Sequence, residues 1–369
     1  MKNNLNIPVP EYPKSKLISG VEFEKFRLHK GDGDMWPLTW AADGNIYGGA
    51  GDNMGSPMNF WKISGNPAFF ASIYKDIDGI KVELIDNMPL DPQVYCTDPE
   101  IHPIFAFKPS GILSVDGMLY LSVSTGNYGE EKHWQRQRYI NSWIITSADY
   151  GMTWNREATP FDFFTGRLAG SSFLQFGQDY SSARDEYVYA YFPASDGNMS
   201  YWENADFMLL GRAGKDKILI RGEWEFYAGM DSERTPLWNK EDSKAEPVFE
   251  YPCMTGHNHV SYNSGIQRYI MGNYSFIDGN GNPRPLHADE IERGPSQLTI
   301  FEAPEPWGPW SLFYRDDNWG TYGDYQPNFP TKWMSEDGRS MYMVSSGSYD
   351  DYNFTVQKLT LNINEDNIG

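Results

Sequence analysis

Residues 31–53 read GDGDMWPLTWAADGNIYGGAGDN. Two short apolar runs flank an Asp-Gly pair at Asp43 and Gly44, which is the signal of a tight hairpin turn. Carboxylates stand at both open ends, Asp34 at one and Asp52 at the other, with Trp36 beside the first. The unit recurs. SVDGMLYLSV at 114–123, SSARDEYVYAYF at 181–192, YNSGIQRYIMGN at 262–273 and SEDGRSMYMVSS at 335–346 each join a polar turn to an aromatic-bearing strand. The turns fall near Asp43, Asp116, Asp185, Gly265 and Asp337, a period of roughly 70–80 residues.

A second strand motif follows each hairpin: NFWKISG at 59–65, SWIITSAD at 142–149, FMLLGRAG at 207–214, LTIFEAPE at 298–305 and FTVQKLTL at 354–361. In four of the five units a further turn and strand come next. The repeating unit is therefore four antiparallel strands, the blade of a β-propeller. A sandwich would not explain a five-fold repeat, and a β-helix needs a much shorter one. The expected architecture is all-β, one five-bladed propeller domain over residues 1–369, with blades near 34–85, 105–160, 171–228, 248–315 and 328–362. The fifth unit runs out of chain after its third strand. VEFEKFRLH at 21–29 alternates like a strand and is left over. It should supply the outer strand of the last blade and close the ring, which protects the edges.

Composition agrees. Aromatic residues make up 16% of the chain, with many Gly and Pro, a mixture of strand and turn formers. No run approaches the roughly 18 apolar residues of a membrane span. A formal net charge of −20 argues against a nucleic-acid partner or an anionic membrane. Two cysteines, Cys96 and Cys253, do not make a disulfide framework, and one pairing stays open. The start, MKNNLNIPVPEYPKSK, has no apolar signal core. That suits a cytoplasmic protein, or a secreted or periplasmic one whose signal has been removed.

In a propeller the loops leading into the first strands and out of the second strands share one end of the central channel. The tight turns lie at the other end. The first end collects Asp34, Asp52, Asn53, Lys108, Arg167, His257, His259, Tyr274 and Lys332. The second collects Asp43, Asp116, Arg184, Asp185 and Asp337, read as turn formers. Asp34 and Asp52 are the candidate catalytic pair, because glycoside hydrolysis uses two carboxylates; Asp32 competes with Asp34. Trp36 could stack on a sugar or simply pack, and Trp134 and Tyr274 are similar. His257 and His259 alternate, so a divalent metal could bind if both face one way. No third ligand is evident, and no cofactor is expected. The remaining candidates for substrate contact are Asn53, Lys108, Arg167 and Lys332.

SADYGMTW at 147–154 fits the Asp-box, S-x-D-x-G-x-T-W, a structural hairpin marker, and Glu302 and Glu305 fall away from the channel. No P-loop, dinucleotide fingerprint, H-E-x-x-H or G-x-S-x-G is present.

Several segments resemble the bacterial family called domain of unknown function 4185: DGDMWPLTWAADGNIYGGAGDN, SSFLQFGQDYSSARDEYVYAYF, YNSGIQRYIMGNYSF, FEAPEPWGPWSLFY and FPTKWMSEDGRSMYMVSSG. The likeness runs from about residue 30 to 361. It implies a five-bladed propeller of a carbohydrate-active group that includes endo-arabinanases, with catalytic carboxylates in first-blade segments resembling GDGDMW and GAGDN. Carried over by motif, these are Asp34 and Asp52. CMTGHNH and the loops 124–141 and 275–296 look less typical. The leading expectation is a glycoside hydrolase acting on a polysaccharide or oligosaccharide. A polysaccharide lyase would instead use His or Tyr as base, with Arg or Lys neutralising a uronate. A non-catalytic glycan-binding propeller is the third reading.

Overall fold

The computed structural model describes residues 11–24, 28–30, 32–53, 56–68, 78–86, 88, 105–127, 138–278, 281–283, 295–320, 324–347 and 352–367. The strands form five antiparallel sheets, the blades of a five-bladed β-propeller. The first blade runs Leu38–Trp40, Ile46–Asn53, Ser56–Ala68, Asp78–Asp86 in spatial order. The second is led by Phe105–Val115, Met118–Asn127 and Arg138–Ser147. The third contains Ser172–Phe173, Tyr187–Ala194, Ala205–Gly214 and Glu225–Met230, extended outward by Pro236–Asn239. The fourth is His259–Asn263, Arg268–Phe276, Ser296–Ala303, Ser311–Trp319.

The fifth blade shows how the ring closes. Its inner position is short, marked by a bridge between Asn328 and Val344. Ser340–Ser345 and Phe354–Ile363 follow. Its outer position is taken by the N-terminal chain, with Ile18–Phe23 pairing residues 359–363 and Leu28–Lys30 pairing residues 354–356. The leftover segment at the start of the chain is thus the closing strand, as its alternation suggested.

Blade packing explains the burial. Strands in the middle of a blade face a neighbouring blade on both sides. Ser296–Ala303 is buried at every position and Tyr187–Ala194 at all but its first. The outer strand Ser311–Trp319 is mostly half-buried or exposed. Tyr187–Ala194 meets burial on both faces with a nearly continuous apolar run, while Ser296–Ala303 buries polar side chains that are paired, Gln297 with Tyr251 and Asp317 and Glu302 with Arg268.

The tight turns repeat one device. The Asp43 carboxylate accepts from the Asn45 amide at 3.0 Å and from the Tyr47 hydroxyl at 2.8 Å. Asp185 does the same with the Tyr187 amide at 2.9 Å and the Tyr189 hydroxyl at 2.6 Å. These are Asx-type turns with a tyrosine latch. The Asp-box is also structural. Asp149 accepts from the Thr153 amide and hydroxyl, the Gly151 amide donates to Ser147, and Trp154 packs edge-on against Phe60. Its hydrogen bonds to Thr153 hold the Asp149 carboxyl below its ordinary value. Glu302 is paired with Arg268 at 3.1 Å and accepts from Ser15, while Glu305 pairs with Arg184 at 3.1 Å. Among the described residues, no helix is long and apolar enough to cross a membrane.

Candidate active site

The chain enters the first blade through a strained stretch. Gly33 has φ 100°, and the two non-glycine residues Met35 and Trp36 have φ 76° and 43°. Each such residue costs about 1–3 kcal/mol, and strain of this kind concentrates where function over-determines the backbone. Four bonds hold it here. The Met35 amide donates to Ser346 Oγ at 2.9 Å, the Trp36 amide to the Asp34 carbonyl at 3.1 Å, the Trp36 indole to the Gly33 carbonyl at 3.0 Å, and Asn328 Nδ2 to the Trp36 carbonyl at 3.3 Å.

Asp34 is thereby fixed against the neighbouring strand. Its amide donates to the Gly51 carbonyl at 2.8 Å and its carbonyl accepts from the Gly51 amide at 2.9 Å. Its carboxylate, 5% exposed, receives Lys108 Nζ at 3.1 and 3.2 Å and the Tyr325 hydroxyl at 3.0 Å. Lys108 comes from the second blade and Tyr325 from the lead-in to the fifth. Gly51 makes room for the pair: a Cβ there would lie 2.5 Å from Asp34 Oδ1 and 2.9 Å from Lys108 Nζ. A buried ion pair gives up much hydration and is often no more stabilising than apolar packing of the same shape. The pair stands at the channel mouth, next to the positive-φ backbone of Met35 and Trp36.

Tyr325 belongs to an aromatic cluster. Its ring lies 5.8 Å from Trp202, 6.1 Å from Tyr274 and 5.9 Å from Phe276. Gln326, next in the chain, also has positive φ, 57°. It donates from Nε2 to the Tyr274 hydroxyl at 3.0 Å, and that hydroxyl donates to the Trp202 carbonyl at 2.5 Å. With its amide nitrogen so engaged, Gln326 presents Oε1 to His259 Nε2 at 3.1 Å. His259 therefore carries its proton on Nε2. His257 Nε2 likewise donates to the Ser110 carbonyl at 2.7 Å, and its buried Nδ1 meets no hydrogen-bond partner among the described residues. Desolvation pushes His257 down to about 4 and His259 down to about 3, so both rings are neutral at pH 7. The rings stand 5.4 Å apart, on one side of their strand. Among the described residues no three His, Cys, Asp or Glu side chains are grouped to hold a metal ion.

The expected site residues divide. Asp34 and Lys108 are brought together, and Tyr274, His257 and His259 form the wall behind them. Tyr274 and His257 have no exposed surface, so these two shape the site without presenting a face to a ligand, whereas His259, 4% exposed, is nearly as accessible as Asp34. Trp36 is not a sugar platform. It is fully buried as a wedge between the first and fifth blades, 5.8 Å from Trp61 and 4.9 Å from Phe354. Lys332 belongs to the other end of the channel. The inner position of the fifth blade is so short that the chain has already crossed by residue 332, and the electrostatic neighbour of Lys332 is Asp43. Burial lowers its ammonium from the ordinary value. Arg167 sits apart, its guanidinium donating to the Asp242 carbonyl. Asp52 and Asn53 end the strand Ile46–Asn53, next to Gly51; their side chains lie outside the described residues, as does Trp134, with most of the two less typical loops. Cys253 Sγ lies 3.4 Å from Asp206 Oδ1, and Cys96 is outside the described residues.

Three groups at this end escaped the sequence reading. Tyr325 and Asp324 lie in the lead-in loop of the fifth blade, and Glu203 follows Trp202 in the loop leaving the third. Asp324 is 1% exposed and Glu203 5%, and Glu203 acts electrostatically on Tyr274. The available signal was acid next to aromatic, in WEN at 202–204 and GDYQ at 323–326.

The molecule is thus a five-bladed propeller with a buried, ion-paired aspartate at its channel mouth. No family model and no curated protein matches the chain. Solved structures do. A proposed hydrolase from Bacteroides ovatus superposes with TM-score 0.52 at 12% identity, covering 97% of each chain. A GH43_1 enzyme from Xanthomonas citri complexed with xylotriose gives TM-score 0.48 at 11% identity, covering 90% of this chain and 89% of that one. An exo-1,5-α-L-arabinanase from a bovine ruminal metagenomic library gives 0.45 at 12%, covering 94% and 97%. At such identity the likeness to the B. ovatus protein is one of fold.

Proposed function

We propose that this propeller is a glycoside hydrolase acting on a polysaccharide or oligosaccharide at the mouth of its channel. The observation that carries the reading is Asp34, a buried carboxylate gripped by groups from two other blades. Hydrolysis of a glycosidic bond needs one carboxylate held as the base or nucleophile and a second acid to protonate the leaving oxygen. Asp34, ion-paired with Lys108 and oriented by Tyr325, has the first role. Asp52, one residue beyond the Gly51 contact, is the first-blade partner for the second role, and Glu203 is its rival from the third blade. Fixed donors around a pre-oriented carboxylate are what a site must supply before substrate arrives. The resemblance to the domain of unknown function 4185 family, and the fold shared with the B. ovatus protein, accord with this reading.

A lyase would need a free cation beside a base to neutralise a uronate. Lys108 is already committed to Asp34, Lys332 is at the far end, and Arg167 is paired elsewhere. Among the described residues the geometry therefore favours hydrolysis. The test is a panel of neutral and acidic glycans with products weighed by mass spectrometry. Hydrolysis adds one water to the summed products, and lyase products sum to the intact mass with new ultraviolet absorbance. Loss of cleavage in Asp34→Asn supports the role given to Asp34. Full activity in that variant refutes it.

A further inference from the structure

A second concavity lies on the same end of the molecule, outside the third blade. It measures about 400 Å³ and is lined by Arg167, Asp196, Asn198, Phe207, Asp242 and Ser243, among others. Its walls are tied together. The Arg167 amide donates to Asn198 Oδ1 at 3.2 Å, and the Arg167 guanidinium donates to the Asp242 carbonyl. The hairpin of residues 195–199 closes by the Ser195 amide on the Met199 carbonyl at 2.9 Å, with Gly197 and Asn198 at φ 77° and 61°. Gly166 lets this hairpin seat, since a Cβ there would lie 2.6 Å from the Asn198 amide group.

The cleft and the candidate active site draw on one chain segment. Residues 195–198 line it, and Trp202 and Glu203, a few residues on, reach the cluster around Tyr325. Phe207, half-buried, pairs with Ala194 at the strand end nearest this face. The lining combines an aromatic surface, a guanidinium, two carboxylates, a carboxamide and hydroxyls. An aromatic face takes the C–H side of a pyranose or furanose ring, and the polar groups take its hydroxyls. Asp196 and Asp242 balance Arg167 and Arg221, whose guanidinium lies 3.8 Å from the Asp242 carboxylate, so the cleft offers no net positive charge to a uronate.

We infer that this cleft is a distal subsite that holds a neutral sugar unit of an extended glycan whose other end lies at Asp34. The inference rests on the glycoside hydrolase reading. A chain long enough to span both positions gains affinity from the second contact, whereas a disaccharide does not.

The test is binding by Asp34→Asn protein, which separates recognition from turnover. Xylohexaose, arabinohexaose, cellohexaose and hexagalacturonate are titrated by calorimetry beside the corresponding disaccharides. At least one neutral hexaose should bind about tenfold or more tighter than its disaccharide. Arg167→Ala and Asp196→Ala should each remove most of that gain and leave disaccharide binding in place. Asp196 is exposed at the hairpin tip, so its replacement keeps the test informative if Arg167→Ala unfolds. A length gain that survives both substitutions overturns the subsite while leaving the hydrolase reading standing. Preference for hexagalacturonate overturns the neutral class. Absence of a length gain in every neutral series overturns the subsite. The hydrolase reading fails separately, on absence of cleavage across the panel by the unaltered protein.

Discussion

The two ends of the channel both carry aspartates, and the difference between them is instructive. At the tight-turn end, Asp43 and Asp185 bond groups two and four residues away, and Asp337 bonds the Arg339 amide two residues on. At the mouth, Asp34 is bonded by Lys108, 74 residues away, and by Tyr325, 291 residues away. The first kind of aspartate shapes its own turn. The second exists as a site only when three blades have assembled. Burial follows the same division: Asp43, Asp185 and Asp337 are exposed and Asp34 is buried.

If the division is right, substitutions should rank by it. Lys108→Ala should have the largest effect. It removes the ammonium from a buried carboxylate, and breaking a buried pair by removing one partner costs about 3–5 kcal/mol. Urea denaturation should show the loss, and glycan cleavage should vanish with it. A Lys108→Ala protein as stable as the parent would mean that the ion pair does not hold the mouth together.

Gly51→Ala comes next. The added Cβ has no room beside Asp34 and Lys108, and overpacking of this kind costs about 1–3 kcal/mol. Cleavage should drop more steeply than the melting temperature, because the displaced group is the proposed catalytic carboxylate. Equal treatment of glycine neighbours offers a control: Gly117, whose Cβ would meet nothing within 4 Å, has φ 74° and should lose only stability when replaced.

Acid should also separate wall from turns. His257 and His259 titrate at about 4 and about 3 when folded, below the roughly 6.5 of a free imidazole. The unfolded chain therefore binds protons first as pH falls. Stability is full above about 6.5 and declines toward 4, by about 1.4 kcal/mol per pH unit for each ring. Denaturation midpoints at pH 7 and pH 5 should differ less in a His257→Gln/His259→Gln double variant than in the parent. An unchanged pH dependence would locate the acid sensitivity elsewhere.

Asp43→Ala should have the smallest effect. It removes the Asn45 and Tyr47 bonds of one turn, worth about 1 kcal/mol, and leaves glycan cleavage untouched. A large loss of activity there would erase the distinction between the two ends.

The propeller was legible in the chain because its signals are local and repeated. Polar turns carrying Asp or Gly recur at a near-constant period, aromatic strands follow each, and the unpaired segment at 21–29 announced the closing strand. Asp34 was legible because a hairpin places it at an open end by geometry alone. The errors share a cause. Trp36 looked like a platform because it adjoins Asp34 in sequence, yet strained backbone turns it into the seam between two blades. Lys332 looked like a mouth residue because a fifth-blade strand of ordinary length would have put it there, and that strand is short.

Turn chemistry and the number of blades thus followed from the sequence by itself, since each depends on residues close together along the chain, whereas ring closure, which pairs residues 18–23 with 359–363, followed only from the one strand left over. The tertiary structure alone decided which charges meet. It set Lys108 and Tyr325 on Asp34, buried both histidines as neutral donors, and drew Glu203 and Asp324 toward the same mouth. Those relations are set by how whole blades pack, and no stretch of sequence contains both partners.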